Sequence, residues 1–337
     1  MGGGRAIFGA SNRYPDAPSL VSVIAIDLGG TKIAAALVSD AGDIRDRGHA
    51  LLGGRGGGDV AAAIVALARD ILDEHGGVPD APITAVGVAV PGIYRAERGT
   101  VWAPNIPGWD DYPLRDELCS ALGSDVGVVI DSDRAAYILG EAWNGAARGA
   151  RDAIFLAVGT GIGAGILVDG RVLRGHADIA GAIGWMALDR PFRDAYGGCG
   201  CFEYHASGPG LTTVAREMLD AMPNYAGELR RLEASDVTTA RLFAAYDRGD
   251  EIATRVLHDA IEFWGMASAN LVSLFNPETI VFGGGVFGPA VRFLERIRIE
   301  AARWAQPISM GQVRFVASTL GGDAGLYGAA RLAMTGR

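Results

Sequence analysis

Two segments of the chain join a buried apolar run to a glycine-rich turn that carries a hydroxyl and exposed amides. In the first, Val21-Ser22-Val23-Ile24-Ala25-Ile26 leads into Asp27-Leu28-Gly29-Gly30-Thr31-Lys32. In the second, Ala153-Ile154-Phe155-Leu156-Ala157 leads into Val158-Gly159-Thr160-Gly161-Ile162-Gly163-Ala164-Gly165. A third turn, Gly283-Gly284-Gly285, follows Thr279-Ile280-Val281-Phe282. Without a Cβ, such turns present backbone N–H groups and admit a phosphate chain held from two sides, while the third lets a flat ring lie on the backbone. Together they suggest a cleft for ATP. The Asp27 carboxylate could hold Mg²⁺ through water, with the Thr31 hydroxyl and the turn amides reaching a phosphate. The spacing matches neither G-x-x-x-x-G-K-[ST] nor a G-x-G-x-x-G that opens a helix, so P-loop and Rossmann readings lose support.

The elements that position these turns follow from hydrophobic periodicity. Residues 21–38 read as strand, turn and strand, with a third strand at Ile44–His49 and a helix over Val60–Glu74. Gly53-Gly54-Arg55-Gly56-Gly57-Gly58 between them reads as a mobile surface loop. Ala85–Val90 is a buried strand ending at Pro91-Gly92, and Val126–Ile130 is another, ending at Asp131-Ser132-Asp133 before a helix over Arg134–Trp143. The order then restarts: strand 153–158, a glycine turn, a strand at Gly165–Val168, a tip at Asp169-Gly170 and a strand at Arg171–Leu173. Helices at Pro209–Met222, Thr238–Ala245 and Glu251–Phe275 cover the second sheet, and a strand at Val313–Val316 and a helix over Gly325–Thr335 close the chain. Two similar halves are implied.

With 337 residues, 49% of them hydrophobic and 20% charged, the chain can bury a full core and divides into two domains. No apolar stretch is long enough to span a bilayer, and residues 1–20 read as a flexible tail without a secretory core, so a cytoplasmic protein is expected. A net charge of -9 disfavours nucleic acid as a partner, and the tail is too short for a helix-turn-helix module. Three cysteines, Cys119, Cys199 and Cys201, are too few to staple such a chain.

An ordered series of motifs then resembles the bacterial ROK family of sugar kinases and sugar-responsive repressors. It comprises Asp27 to Lys32, Val90-Pro91-Gly92, Ala103 to Trp109, Asp133, Gly159 to Gly165, Gly200-Cys201-Phe202-Glu203, Ala206 to Pro209 and Asn276 to Gly285. The resemblance runs from residue 21 to the end of the chain. It implies an α/β fold of two actin-like or hexokinase-like (ribonuclease H-like) domains around an ATP cleft, with ATP and Mg²⁺ as cofactors and a homodimeric assembly. The expected division is a smaller domain of residues 21–133 plus 318–337 and a larger one of 134–317. Asp133 matches the family's general base toward a primary hydroxyl, a task that suits a carboxylate at a strand end; the alternative is that Asp133 caps the helix it precedes. Asn105 matches a sugar-binding asparagine, or else stabilises the turn after Pro104. Glu203 matches a glutamate that binds hydroxyls near the anomeric end, or else is a charge at a helix N-terminus. Gly92 and Ser132 complete the implied acceptor contacts, Asp131 and Ser132 standing where relatives often have Glu and Asn.

The departures from the family pattern bear on specificity. Where relatives carry Ala-Gly-Glu-x-Gly-His, this chain has Ala180-Gly181-Ala182-Ile183-Gly184-Trp185, so Ala182 and Trp185 replace a glutamate and a histidine that read sugar hydroxyls. The zinc motif has become Asp194-Ala195-Tyr196-Gly197-Gly198-Cys199-Gly200-Cys201, which leaves Cys199 and Cys201 with His176 or His205 at unfamiliar spacing, so no zinc site is expected. Phe192, Tyr196, Phe202 and Trp185 are expected to fill that volume instead. The resulting expectation is an ATP-dependent kinase for a primary hydroxyl of a modified sugar, amino sugar or cyclitol. The alternatives are an ordinary glucokinase and a non-catalytic sugar sensor.

Overall fold

The computed structural model describes residues 21–75 and 82–336, and the expected tail at 1–20 lies outside them. Two five-stranded sheets repeat one topology. In the first, β1 (Ser22–Leu28), β2 (Lys32–Ser39) and β3 (Ile44–Leu51) form an antiparallel meander. Beyond β1, β4 (Ile83–Val90) and then β7 (Gly127–Ser132) add in parallel, giving the order β3-β2-β1-β4-β7. A two-stranded ribbon of β5 (Ile93–Arg95) and β6 (Thr100–Trp102) stands apart. In the second sheet, β8 (Ala153–Val158), β9 (Ile162–Val168) and β10 (Arg171–Val172) form the meander. Parallel β11 (Thr279–Gly283) and β12 (Arg314–Ala317) follow in the order β10-β9-β8-β11-β12.

The central strands are covered on both faces, which is why they read as unbroken apolar runs, whereas β3 alternates half-buried and exposed residues. The first sheet packs on α1 (Gly57–His75) and α2 (Leu114–Leu122) on one side. Its other side meets the C-terminal helix Ala324–Thr335, which also packs along α3 (Asp133–Asn144). These two helices approach to backbone contact: a Cβ on Gly328 would lie 1.9 Å from the Ala136 carbonyl oxygen, and one on Gly140 would lie 2.6 Å from that of Ala324. The second sheet is buried under α4 (Cys201–Ala206), α5 (Gly208–Ala221), α6 (Thr239–Asp247) and α7 (Glu251–Phe275).

Helix boundaries follow the caps. The Asp250 side chain accepts from the Ala253 N–H at 3.0 Å, and Asn276 ends α7 in the left-handed region at φ 46°, so its span is the expected one. Ser207 caps α5 and starts it one residue before the expected Pro209. Helix α1 begins at Gly57, inside the hexaglycine-like stretch expected to be a mobile surface loop. That stretch is anchored, because the Gly57 N–H donates to the Pro107 carbonyl at 2.8 Å and Trp109 Nε1 donates to the Gly57 carbonyl at 3.1 Å. The chain crosses between the sheets at two places, entering α3 after β7 and returning after β12. Glu141, fully buried on α3, joins them by accepting from the Ser318 hydroxyl and from the Leu320 N–H at 3.4 Å.

Candidate active site

Asp27 stands at the end of β1, opposite Ala34 of β2 and Ala89 of β4. Its carboxylate lies over the first turn of the C-terminal helix, where a Cβ on Gly325 would come within 2.3 Å of Oδ2. Only glycine leaves room there. Asp27 Oδ1 is buried and accepts no hydrogen bond among the described residues, an arrangement that costs free energy unless a ligand completes it. Burial first, and then the charge of Asp133, push this carboxyl up to about 7 from an ordinary 3.8, against the opposing pull of Lys32. A hard divalent cation takes oxygen ligands and would satisfy the orphaned atom, so the site fits Mg²⁺ with Asp27 as its protein ligand.

The adjoining turn is tight, the Gly29 N–H donating to the Lys32 carbonyl at 2.9 Å, and it leaves Gly30, Thr31 and Lys32 exposed. Asn105 is also exposed and abuts the turn, its Nδ2 lying 3.0 Å from where a Cβ on Gly30 would be. The loop that carries Asn105 is braced by the Ala103 N–H to Trp109 carbonyl bond at 2.7 Å and by Trp109, buried and stacked on Tyr112 with ring centroids 4.8 Å apart.

At the end of β7, the Ser132 hydroxyl accepts from the Ala135 N–H at 3.3 Å and is the N-cap of α3. Asp133 is therefore the first residue of the helix and not its cap. Its Oδ1 accepts from the Arg134 N–H at 2.7 Å, while the other oxygen has no hydrogen-bond partner among the described residues. Burial raises the Asp133 carboxyl to about 6, in spite of the nearby Arg134 charge and that backbone bond. Two residues earlier, Asp131 is buried and committed to Arg174, whose Nε donates to Oδ2 at 3.1 Å. Gly92, in the loop after β4, turns its carbonyl toward Arg134 and accepts from Nη2 at 3.2 Å.

On the second sheet, the turn after β8 closes with the Gly159 N–H donating to the Gly161 carbonyl at 2.9 Å; Thr160 and Gly161 are exposed. The turn after β11 lies against it. The Val286 N–H donates to the Val158 carbonyl at 3.0 Å, Gly283 is buried, and Gly284 and Gly285 are exposed. The N-terminus of α5 joins the turn after β8 through the Gly208 N–H to Gly159 carbonyl bond at 2.9 Å, adding a helix end of positive polarity beside exposed amides. Glu203 reaches the same turn from α4, its Oε2 accepting from the Ile162 N–H at 2.7 Å and lying 2.9 Å from where a Cβ on Gly184 would be. Burial raises its carboxyl. Ala182 is half-buried nearby in sequence, on the approach to the single helical turn Ile183–Trp185.

The expected aromatic packing needs correction. Trp185 is 58% exposed and Phe192 74% exposed, so neither fills the volume. Tyr196 and Phe202 are buried there, and their companion is His205, which stacks on Phe263 with centroids 4.3 Å apart and bonds through Nε2 to the Tyr196 hydroxyl at 2.7 Å. The polar ring ends find partners, while the indole lies at the surface and the Phe192 ring meets Tyr196 edge-on, with centroids 5.9 Å apart.

Sequence reasoning overlooked Arg134, Arg174, Gly325 and Tyr137. Tyr137 sits one turn after Asp133, packs on Phe155 at 5.2 Å between centroids, and has its hydroxyl pushed well up by burial and by the charges of Asp133 and Asp27. Helical spacing from Asp133 to Tyr137 was the available signal. The others depend on contacts between residues distant in the chain or across the cleft.

The two raised carboxyls make a pH prediction. An active base must be ionised, so kcat/KM should climb as pH rises through about 6, with Asp27 following near about 7 unless a bound cation holds it ionised. The stability sign is opposite. A carboxyl held above its unfolded value favours the native state at low pH, and that contribution is lost as pH rises from 3.8 through about 6 and about 7. A flat pH–rate profile below neutrality would refute the base assignment.

The ROK family model matches residues 23–335. The glucokinase of Halalkalibacterium halodurans is 32% identical over 311 residues, 90% of this chain and 92% of that protein. The xylose repressor of Caldicellulosiruptor bescii is 31% identical over 289 residues, 82% of this chain and 69% of that protein. A crystal structure of a ROK family glucokinase from Streptomyces griseus in complex with glucose and AMPPNP shares 31% identity and a TM-score of 0.75, covering 93% of this chain and 99% of that one. The fold is the two-domain actin-like, hexokinase-like α/β architecture. With the family model spanning both sheets and both sets of turns, the chain belongs to the ROK family.

Proposed function

We propose that this protein transfers the γ-phosphoryl group of ATP to a primary hydroxyl of a sugar-like compound other than plain glucose. It is an ATP-dependent carbohydrate kinase; the proposal concerns its acceptor and the residues that do the chemistry. The observation that carries the reading is the division of labour at the start of α3, where Ser132 caps the helix and leaves Asp133 with an unbonded oxygen beside Asp27. A half-buried carboxylate near about 6 can accept the acceptor's proton as the oxygen attacks.

The residues then take these roles. Gly29, Gly30, Thr31 and Lys32 on one side and Gly159, Thr160 and Gly161 on the other hold the phosphates, and Gly283, Gly284 and Gly285 receive the adenine. Mg²⁺, when bound at Asp27, neutralises phosphate charge. Gly92, Asn105, Ser132 and Glu203 surround the acceptor with Asp133. Closure of residues 21–133 plus 318–337 on 134–317 would turn about the two crossings that Glu141 joins, excluding water from the site.

Ala182 and Trp185 supply the argument on specificity. An alanine makes no hydrogen bond to a hydroxyl, and an indole that is 58% exposed replaces none. A site that leaves hydroxyls unpaired loses about 1–3 kcal/mol for each one buried. In a coupled ADP-release assay across hexoses, modified and amino sugars and cyclitols, kcat/KM for glucose should fall about tenfold to a hundredfold below that of the best acceptor. Glucose as the best acceptor of the panel would return the protein to the ordinary glucokinases. ADP release with none of them would favour a sugar sensor.

A further inference from the structure

The start of α3 carries a cation that the kinase chemistry does not use. The stem of Arg134 crosses from α3 over β9, where a Cβ on Gly163 would lie 2.7 Å from its Cδ and 3.7 Å from the Gly181 carbonyl oxygen. Gly163 is the cradle that lets the side chain pass. Its far end donates one N–H, from Nη2, to the Gly92 carbonyl at 3.2 Å. Arg134 thus spans from the strand that bonds to Gly181 to the Gly92 loop of the other sheet, next in sequence to Asp133 and in contact with Gly92, both residues of the proposed acceptor site. It is half-buried and forms no ion pair among the described residues.

A guanidinium has five N–H donors and no acceptor. One of the five is used among the described residues. Asp131 is paired with Arg174, Glu203 accepts from the Ile162 N–H through one oxygen, and Asp133 accepts from the Arg134 backbone N–H through Oδ1 and keeps its other oxygen free. The side chain of Ala182, next to Gly181, adds no polar group. The guanidinium therefore adds spare donors and positive charge beside the free oxygen of Asp133, and can itself bind only acceptor atoms. The planar fork suits a carboxylate, which it can hold through two parallel bonds, and its charge repels an ammonium group.

We propose that Arg134 is a specificity-determining residue that selects an acceptor carrying a carboxylate. The inference rests on the kinase reading above and narrows it, since an amino sugar with a free ammonium group would be disfavoured. The reaction itself is unchanged: the acceptor oxygen bonds to the γ-phosphorus, the bond to ADP breaks, and Asp133 takes the proton.

The test uses pairs of acceptors that differ by one group: gluconate against glucitol, N-acetylmuramic acid against N-acetylglucosamine, and glucosamine as the ammonium case. Wild-type protein should favour the carboxylate member by about tenfold or more in kcat/KM, the worth of one charge-assisted contact, with glucosamine last. Arg134→Met, which keeps the stem over Gly163, should abolish that preference, and Arg134→Lys should retain part of it. Calorimetric binding of the same compounds gives a readout independent of turnover, with an expected loss of about tenfold in affinity for the carboxylates alone in Arg134→Met. If carboxylates bind through Arg134 but no ADP appears, the kinase reading fails and the site assignment stands. If neutral and carboxylated acceptors are used equally by wild type, or if Arg134→Met, assayed well above the titration of Asp133 that the Arg134 charge holds down, lowers kcat for both by the same factor, the assignment is overturned. The second of these results would place the guanidinium on the transferring phosphoryl group.

Discussion

Asp133→Asn should reduce kcat by about a hundredfold or more, because the amide keeps the shape of the carboxylate but cannot take the proton of the attacking hydroxyl. ATP affinity should change little, since the turns at Gly29 and Gly159, which we propose hold the phosphates, are built from backbone that Asp133 does not touch. Folding should also survive. Ser132, not Asp133, caps α3, and the substitution removes a buried charge that burial already disfavours. The loss of the Asp133 charge should lower the titration of Asp27 below about 7, since that charge is the second cause of its rise. The measurement is single-turnover ADP formation with thermal unfolding of the same sample. A variant that keeps kcat within threefold of wild type would exclude Asp133 as the base, and one that loses both activity and melting temperature would point to a structural role instead.

Local chemistry in the sequence made much of the site legible. A strand that is buried on both faces must be continuously apolar, and where such a run stops at glycines the backbone becomes accessible; this located the turns at 27–32, 159–165 and 283–285. The span of α7 was readable because Asp250 and Asn276 are a favoured cap at each end. Which residue caps α3 was not readable, because Ser132 and Asp133 are both good N-cap residues and only geometry separates them. Contacts between distant residues were equally hidden. Nothing local in Gly325 says that Asp27 lies 2.3 Å from the place of its missing Cβ, nearly the whole chain away. Trp185 and Phe192 show a different failure: a large apolar residue in a loop is read as filler, yet whether it is covered depends on what stands opposite.

Arg174→Ala should be the most damaging single change to stability near the cleft. Asp131 is 7% exposed and, even with its partner present, burial holds its carboxyl above the ordinary range; Arg174 and the Ser132 N–H are the groups that oppose this. Truncating Arg174 removes both side-chain donors and leaves an uncompensated buried carboxylate. Breaking a buried pair in this way costs about 3–5 kcal/mol, and the partial exposure of the arginine side chain, 36%, places the expected value toward the lower end. The pair also joins β7 to the segment that follows β10, and it lies two residues from Asp133, so kcat should fall together with the melting temperature. The sign with pH is diagnostic. With Arg174 gone, Asp131 titrates higher still, so the variant should regain stability as pH falls and the carboxyl takes up a proton, a recovery that wild type should not share to the same extent. Adding Asp131→Asn to Arg174→Ala removes the stranded charge and should restore part of the loss. If the double variant is no more stable than Arg174→Ala alone, the cost came from lost packing of the arginine stem rather than from the unpaired carboxylate.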